Sequence, residues 1–188
     1  MKHLNRILVF ISFLIMGLSS AQAQFMLKGV VSLDNTTAKS TIPSATDAKE
    51  NITFTSLGAG YVLGNGLYLG GIYETKTDKT VVVGTGTFED NYNQMGAAIG
   101  YVVGNWQFIF NYFVNASNED VSNNEFTGTG MGVDLGYGFD VGNGVKLGVQ
   151  LGYRSFTYDK YKVVGAPEVA TDYKVTELAP AILISWKM

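Results

Sequence analysis

The chain has 188 residues, of which 46% are hydrophobic and 13% aromatic, with 23 Gly, 3 Pro and no Cys. Without Cys there is neither a disulfide scaffold nor a thiolate metal site. A formal net charge of −3 supplies no basic stripe for nucleic acid.

The N-terminus reads as a leader. Lys2, His3 and Arg6 precede the apolar run ILVFISFLIMGL (7–18), and Ala21-Gln22-Ala23 supplies a small-x-small cleavage site. We therefore expect a signal peptide over 1–23 and a single domain over 24–188. The lone His lies in the leader, so the remaining domain has neither His nor Cys. That removes the commonest general base, the commonest metal ligand and the thiol nucleophile together, and no enzyme, metal site or cofactor is expected. The domain carries 11 Lys and Arg against 16 Asp and Glu, a net charge of −5.

After the leader, FMLKGVVSL (25–33) alternates as a strand does, and a polar loop over 34–51 follows. Leu57, Ala59, Tyr61 and Leu63 then lead into Gly64-Asn65, and Leu67, Leu69 and Tyr73 lead out. Asn and Gly accept the positive φ of tight hairpin turns. The pattern returns around Gly104-Asn105, between Met95, Ala97, Ile99, Tyr101 and Val103 on one side and Trp106, Phe108, Phe110, Tyr112 and Val114 on the other. It returns again around Gly142-Asn143, from Met131 through Val133, Leu135, Tyr137 and Phe139, then from Val145 to Tyr153. The polar stretches 76–91, 116–126 and 159–172 read as long loops, and YKVTELAPAILISW (173–186) as the last strand.

Eight strands result, joined alternately by short turns and long loops. No later apolar run approaches the ~20 residues of a membrane helix, whereas the strands match the ~9–11 residues with which a β-barrel crosses a bilayer. The expected fold is all-β: an eight-stranded antiparallel up-and-down transmembrane β-barrel with short periplasmic turns and long extracellular loops.

The two phases of the strands differ. One collects the bulky apolar residues above. The other collects Ser56, Gly58, Gly60, Gly70, Gln94, Gln107, Asn111, Asn115 and the row Gly130, Gly132, Gly136 and Gly138, with Tyr68, Ile72, Ile109 and Leu183 as exceptions. A narrow lumen accepts the second set, so the bulky phase should face outward into lipid. Tyr61, Tyr101, Trp106, Tyr137, Phe139 and Trp186 then form an aromatic girdle near the short turns, and Tyr73, Tyr112 and Tyr153 one at the far ends. Six charges share the inward phase: Lys28, Glu74, Asp134, Lys146, Arg154 and Glu177. As buried charges they should pair, either holding the barrel together or lining a pore. Strands 1 and 8 suggest Lys28 with Glu177, and strands 6 and 7 suggest Asp134 with Lys146 or Arg154.

With its leader, its Gly-Asn turns and its alternating strands, the chain resembles the small eight-stranded outer-membrane β-barrels of Gram-negative bacteria, the OmpX, OmpA-barrel and OmpW-like proteins. The resemblance implies location in the bacterial outer membrane and assembly by the barrel-insertion machinery, which reads a C-terminal aromatic, here Trp186. Ala179 stands where that family often has Gly. Enzymes on such barrels resemble one another in using a His, which residues 24–188 lack. The implied function is a non-catalytic, monomeric barrel with a filled lumen, contacting outer-membrane lipid and meeting extracellular ligands or surfaces through its loops in a structural, adhesion or defence role. The alternatives are a small porin-like or OmpW-like conduit for ions or apolar molecules, and a soluble lipocalin-like carrier with the bulky phase inward.

Overall fold

A computed structural model describes residues 23–38, 48–82 and 86–188 of the chain. The expected leader lies outside the described residues save for Ala23. The remainder forms eight antiparallel strands: β1 (Gln24–Ala38), β2 (Ala48–Val62), β3 (Leu67–Val82), β4 (Gly86–Val103), β5 (Trp106–Glu119), β6 (Glu125–Gly142), β7 (Val145–Lys162) and β8 (Val169–Lys187). Each strand pairs with its sequence neighbours, and β1 pairs with β8, so the sheet closes into a barrel.

The short turns fall where the Gly-Asn pairs place them, but their geometries differ. Gly104 (φ +57°) occupies the first central position of the β4–β5 hairpin, and Gly142 (φ +104°) at the end of β6 and Asn143 (φ +54°) and Gly144 (φ +76°) in the turn to β7 all carry positive φ. Between β2 and β3 the positive φ falls on Gly66 and not on Gly64 or Asn65. There the Asn65 side chain accepts a hydrogen bond from the Leu67 amide at 3.0 Å and fixes the turn that way.

At the other end the strands outrun expectation. The stretch 76–91, expected as a loop, is strand up to Val82 and again from Gly86; β5 runs to Glu119 and β6 starts at Glu125. β7 likewise reaches Lys162 and β8 begins at Val169. Polar residues on both phases hide the two-residue period there, while the backbone ladder continues regardless of side chain. The connection between β1 and β2, narrowed to 39–47, lies outside the described residues.

Register explains how the ring is filled. One register row runs Phe25, Tyr61, Leu69, Ile99, Phe110, Val133, Tyr153, Leu178 around all eight strands, every member outward and apolar or aromatic. An inward row runs Gly58, Ile72, Gly96, Phe113, Gly130, Phe156, placing Gly on alternate strands beside a large side chain. Small-beside-large packing lets a narrow barrel fill without voids. Tyr68, Ile72, Ile109 and Leu183, the bulky exceptions on the inward phase, are all buried, joined by Met26, Val30, Phe54, Phe113, Phe156 and Tyr158.

Two irregularities re-aim side chains. A bulge between Phe113 and Ala116 turns Asn115 outward and brings Ala116 and Asn118 into the lumen, which corrects the inward placement of Asn115. The β1–β8 ladder runs only from Met26–Lys187 to Val31–Ile182, although both strands continue beyond it.

Candidate functional site: a charged lumen

The inward carboxylates and cations converge at mid-barrel. Arg154 on β7 meets Glu74 on β3 through two parallel hydrogen bonds, Nε to Oε2 at 2.9 Å and Nη2 to Oε1 at 2.6 Å. Its Nη1 also lies 2.7 Å from Asp134 Oδ1 on β6. Lys28 on β1 donates to Asp134 Oδ2 at 2.9 Å and to Gln150 Oε1 at 3.2 Å. Asn111 Nδ2 adds a second donor to Asp134 Oδ2, at 3.0 Å. Lys28, Glu74, Asp134 and Arg154 are at most 3% exposed, and two positive charges balance two negative ones. Desolvating four charges is tolerable only with such dense mutual pairing. The guanidinium suits the purpose because it engages Glu74 bidentately while sitting over the Phe113 ring, with Cζ 5.7 Å from the centroid.

The glycine row of β6 makes room for this arrangement. Gly132 is paired in register with Arg154, and a Cβ added there would sit 2.7 Å from Arg154 Cδ and 2.8 Å from its Nη1. Gly130 similarly clears the Phe156 ring.

Of the six expected charges, four therefore share one network and two do not. Glu177 does not pair with Lys28. The β1–β8 register sets Lys28 opposite Ser185, eight positions along β8 from Glu177, or roughly 27 Å at ~3.4 Å per residue. Glu177 instead receives a hydrogen bond from Lys76 Nζ at 2.7 Å in a partly exposed pair nearer the far end. Lys76 also lies over the Tyr92 ring, 4.9 Å from its centroid. Lys146 does not reach Asp134. It lies at the short-turn end, donating to the Gly104 carbonyl and, at 2.9 Å, to Asn105 Oδ1. The expected pairing of Asp134 with Arg154 is present.

Lys76 is a charged residue that sequence reasoning missed, as is Asp78 two positions further on. Lys76 shares the inward phase of Glu74 two positions on, but the polar stretch around it hid the period. A third cross-lumen contact, Gln107 Nε2 to Ser185 Oγ at 3.0 Å, lies below the network toward the short turns. There Met26, Val62, Tyr68, Ala98, Val102 and Ile109 form an apolar plug. At the far end Ile72, Phe113, Ala116, Phe156 and Tyr158 form another.

The aromatic girdle residues project outward. Trp106 meets Tyr137 edge-on at 4.8 Å and Tyr137 meets Phe139 at 5.0 Å near the short turns. Tyr73, Tyr112 and Tyr153 are exposed at the other edge of the apolar surface. Among the described residues no group of three or more His, Asp or Glu is arranged to hold a metal ion. No protein-family model matches the chain, and no curated protein matches it.

Proposed function

We propose that this chain is a non-catalytic integral β-barrel of a Gram-negative outer membrane, occluded along its axis and presenting polar strand ends and turns to the exterior in a structural, adhesion or defence role. The observation that carries this reading is the pairing of an apolar exterior with a crossed, side-chain-filled interior. Side chains such as Val133 and Val149 are 52% and 62% exposed on an outward surface that is apolar around the whole ring. Water penalises an apolar patch of that size and lipid does not. Edge-to-face aromatics at one rim and tyrosines at the other suit the two interfaces of a bilayer.

Interior packing weighs against the two other readings. A soluble carrier would turn its bulky phase inward around a ligand. A conduit needs a continuous wet path, whereas ion pairs and a hydrogen bond join strands across this lumen, and two clusters of apolar side chains fill it as well. On this reading the partners are outer-membrane lipid and the assembly machinery, and the barrel is a monomer.

Refolding of residues 24–188 tests the proposal. The expected protein stays monodisperse only with detergent or lipid, and on unheated gels it migrates differently from the boiled chain. A monodisperse monomer in plain buffer would refute it.

A further inference from the structure

The barrel wall has a seam. Above Val31–Ile182 no residue of β1 is paired with β8, although β1 continues to Ala38 and β8 starts back at Val169. Pro180 accounts for the break. The Met188 amide donates to Phe25 O on β1 while the Lys187 amide donates to Gly144 O on the other side. Alternate β8 residues, including 182 and 180, therefore turn their amide toward β1, and at 180 Pro has none to give. The side chains flanking the gap lack neighbours across it. Leu33, Ile182 and Leu178, at 71%, 69% and 68%, are the most exposed large apolar residues among those described.

Two cavities meet at this seam and share Ser32, Leu33 and Pro180. The outer one, about 440 Å³, is walled by Val31, Val149 and Ile182 on the apolar exterior. The other, about 350 Å³, passes between Leu178 and Leu33 to Ile52, Phe54 and the Lys76–Glu177 pair. Tyr153, a girdle residue, is the register partner of Leu178, so the passage opens at the edge of the apolar surface. One end of the track is apolar and open to the surroundings of the wall. The other ends inside it on the Lys76–Glu177 ion pair.

We propose that the β1–β8 seam is a binding site for a single-chain carboxylate amphiphile, a fatty-acid-like molecule whose chain lies along Val31, Leu33, Val149 and Ile182 and whose head reaches Lys76. Lys76 already holds one carboxylate, that of Glu177, at 2.7 Å, and an ammonium has three donors to share. The inference rests on the membrane reading for the source of the ligand, while the site itself follows from the seam.

The test uses full barrel in lipid nanodiscs, with incorporation and heat-modifiable migration scored first, so that failure of the membrane reading shows before any binding is measured. A dansyl-labelled fatty acid is then titrated, with empty nanodiscs as the baseline. Ser32 and Ala181 are the residues that follow the last paired rung, Val31–Ile182, on either side of the gap, and the chain has no Cys, so Ser32→Cys with Ala181→Cys offers a reversible clasp. Saturable binding is expected for the wild type, weakened about tenfold or more when the clasp is oxidised and restored on reduction. Lys76→Gln should weaken the carboxylate probe by a similar factor and leave the matching alcohol probe unchanged. Equal affinity of oxidised and reduced clasp, or an amine probe binding as tightly as the carboxylate, would overturn the proposal.

Discussion

Arg154 and Glu74 stand on β7 and β3, four strands apart in a ring of eight, and their bidentate contact therefore spans the lumen at its full width. A contact along the wall would leave the axis open. This one crosses it, and Lys28 with Asp134 bridges β1 to β6 beside it.

The two tiers of ion pairs should differ in stability when broken. Glu74→Ala leaves part of a fully buried guanidinium without its partner, and a cost of about 3–5 kcal/mol is expected. Glu177→Ala acts on a pair that water reaches, with side chains 14% and 19% exposed, so roughly 1 kcal/mol is expected. Reversible unfolding in denaturant measures both. Equal costs would mean that burial does not set the strength of these pairs.

This contrast also shows where the sequence could be read and where it could not. Bulky residues alternating on both sides of Gly104-Asn105 mark strands, turn and outward face at once, because a two-residue period is visible wherever the phases differ in hydropathy. At Lys76 both phases are polar, the period vanishes, and a strand reads as a loop. Asn115 lies on the inward count from Gln107, but the bulge after Phe113 shifts the count by one, and no residue type announces a bulge. That β1 must meet β8 suggests Lys28 with Glu177, but the stagger at which the two strands meet depends on the register of every other strand pair. The residues of the central network were therefore legible as an inward set, and their partners only partly so.

Substitutions on the outward apolar face and in the lumen should separate cleanly. Val133→Arg and Val149→Arg place a cation on the apolar wall and are each expected to cost about 2–4 kcal/mol in a bilayer. In urea-unfolding titrations from lipid vesicles, an unchanged midpoint for both would invert the assignment of faces.

Glycines on the two faces offer a finer probe. Gly132→Ala drives a methyl group against Arg154, which Glu74 holds in place, and about 1–3 kcal/mol of destabilisation is expected. Gly71→Ala points its Cβ outward, where the nearest atom is Gly96 O at 3.7 Å, and should be tolerated. The same unfolding titration ranks the two variants, and a reversed order would contradict the packing described for β6.

The turn between β5 and β6 should respond to pH. Asp120 is held below the usual carboxylate range first by the Asn124 side chain, which donates to Oδ2 at 3.0 Å, and then by the Asn124 and Ser122 amides, which donate to Oδ1 at 3.0 and 2.8 Å. A depressed folded pKa means that the stabilisation is complete above the unfolded value of about 3.9 and is lost as pH falls through the lower folded value. Amide exchange at Ser122 and Asn124, corrected for intrinsic rates, should lose protection over that acid window. Asp120→Ala should show the loss at every pH, and protection that does not vary with pH in the wild type would refute the role of the carboxylate.

Closure of the lumen is tested most directly by single-channel recording of the folded wild-type barrel in a planar bilayer, with folding verified by gel migration of the same sample. With Arg154–Glu74, Lys28–Asp134 and Lys76–Glu177 crossing the interior, no steady current is expected. A steady ohmic current from the wild type, with ion selectivity altered in Glu177→Ala and stability unchanged in Glu74→Ala, would contradict an occluded barrel and establish a conducting one.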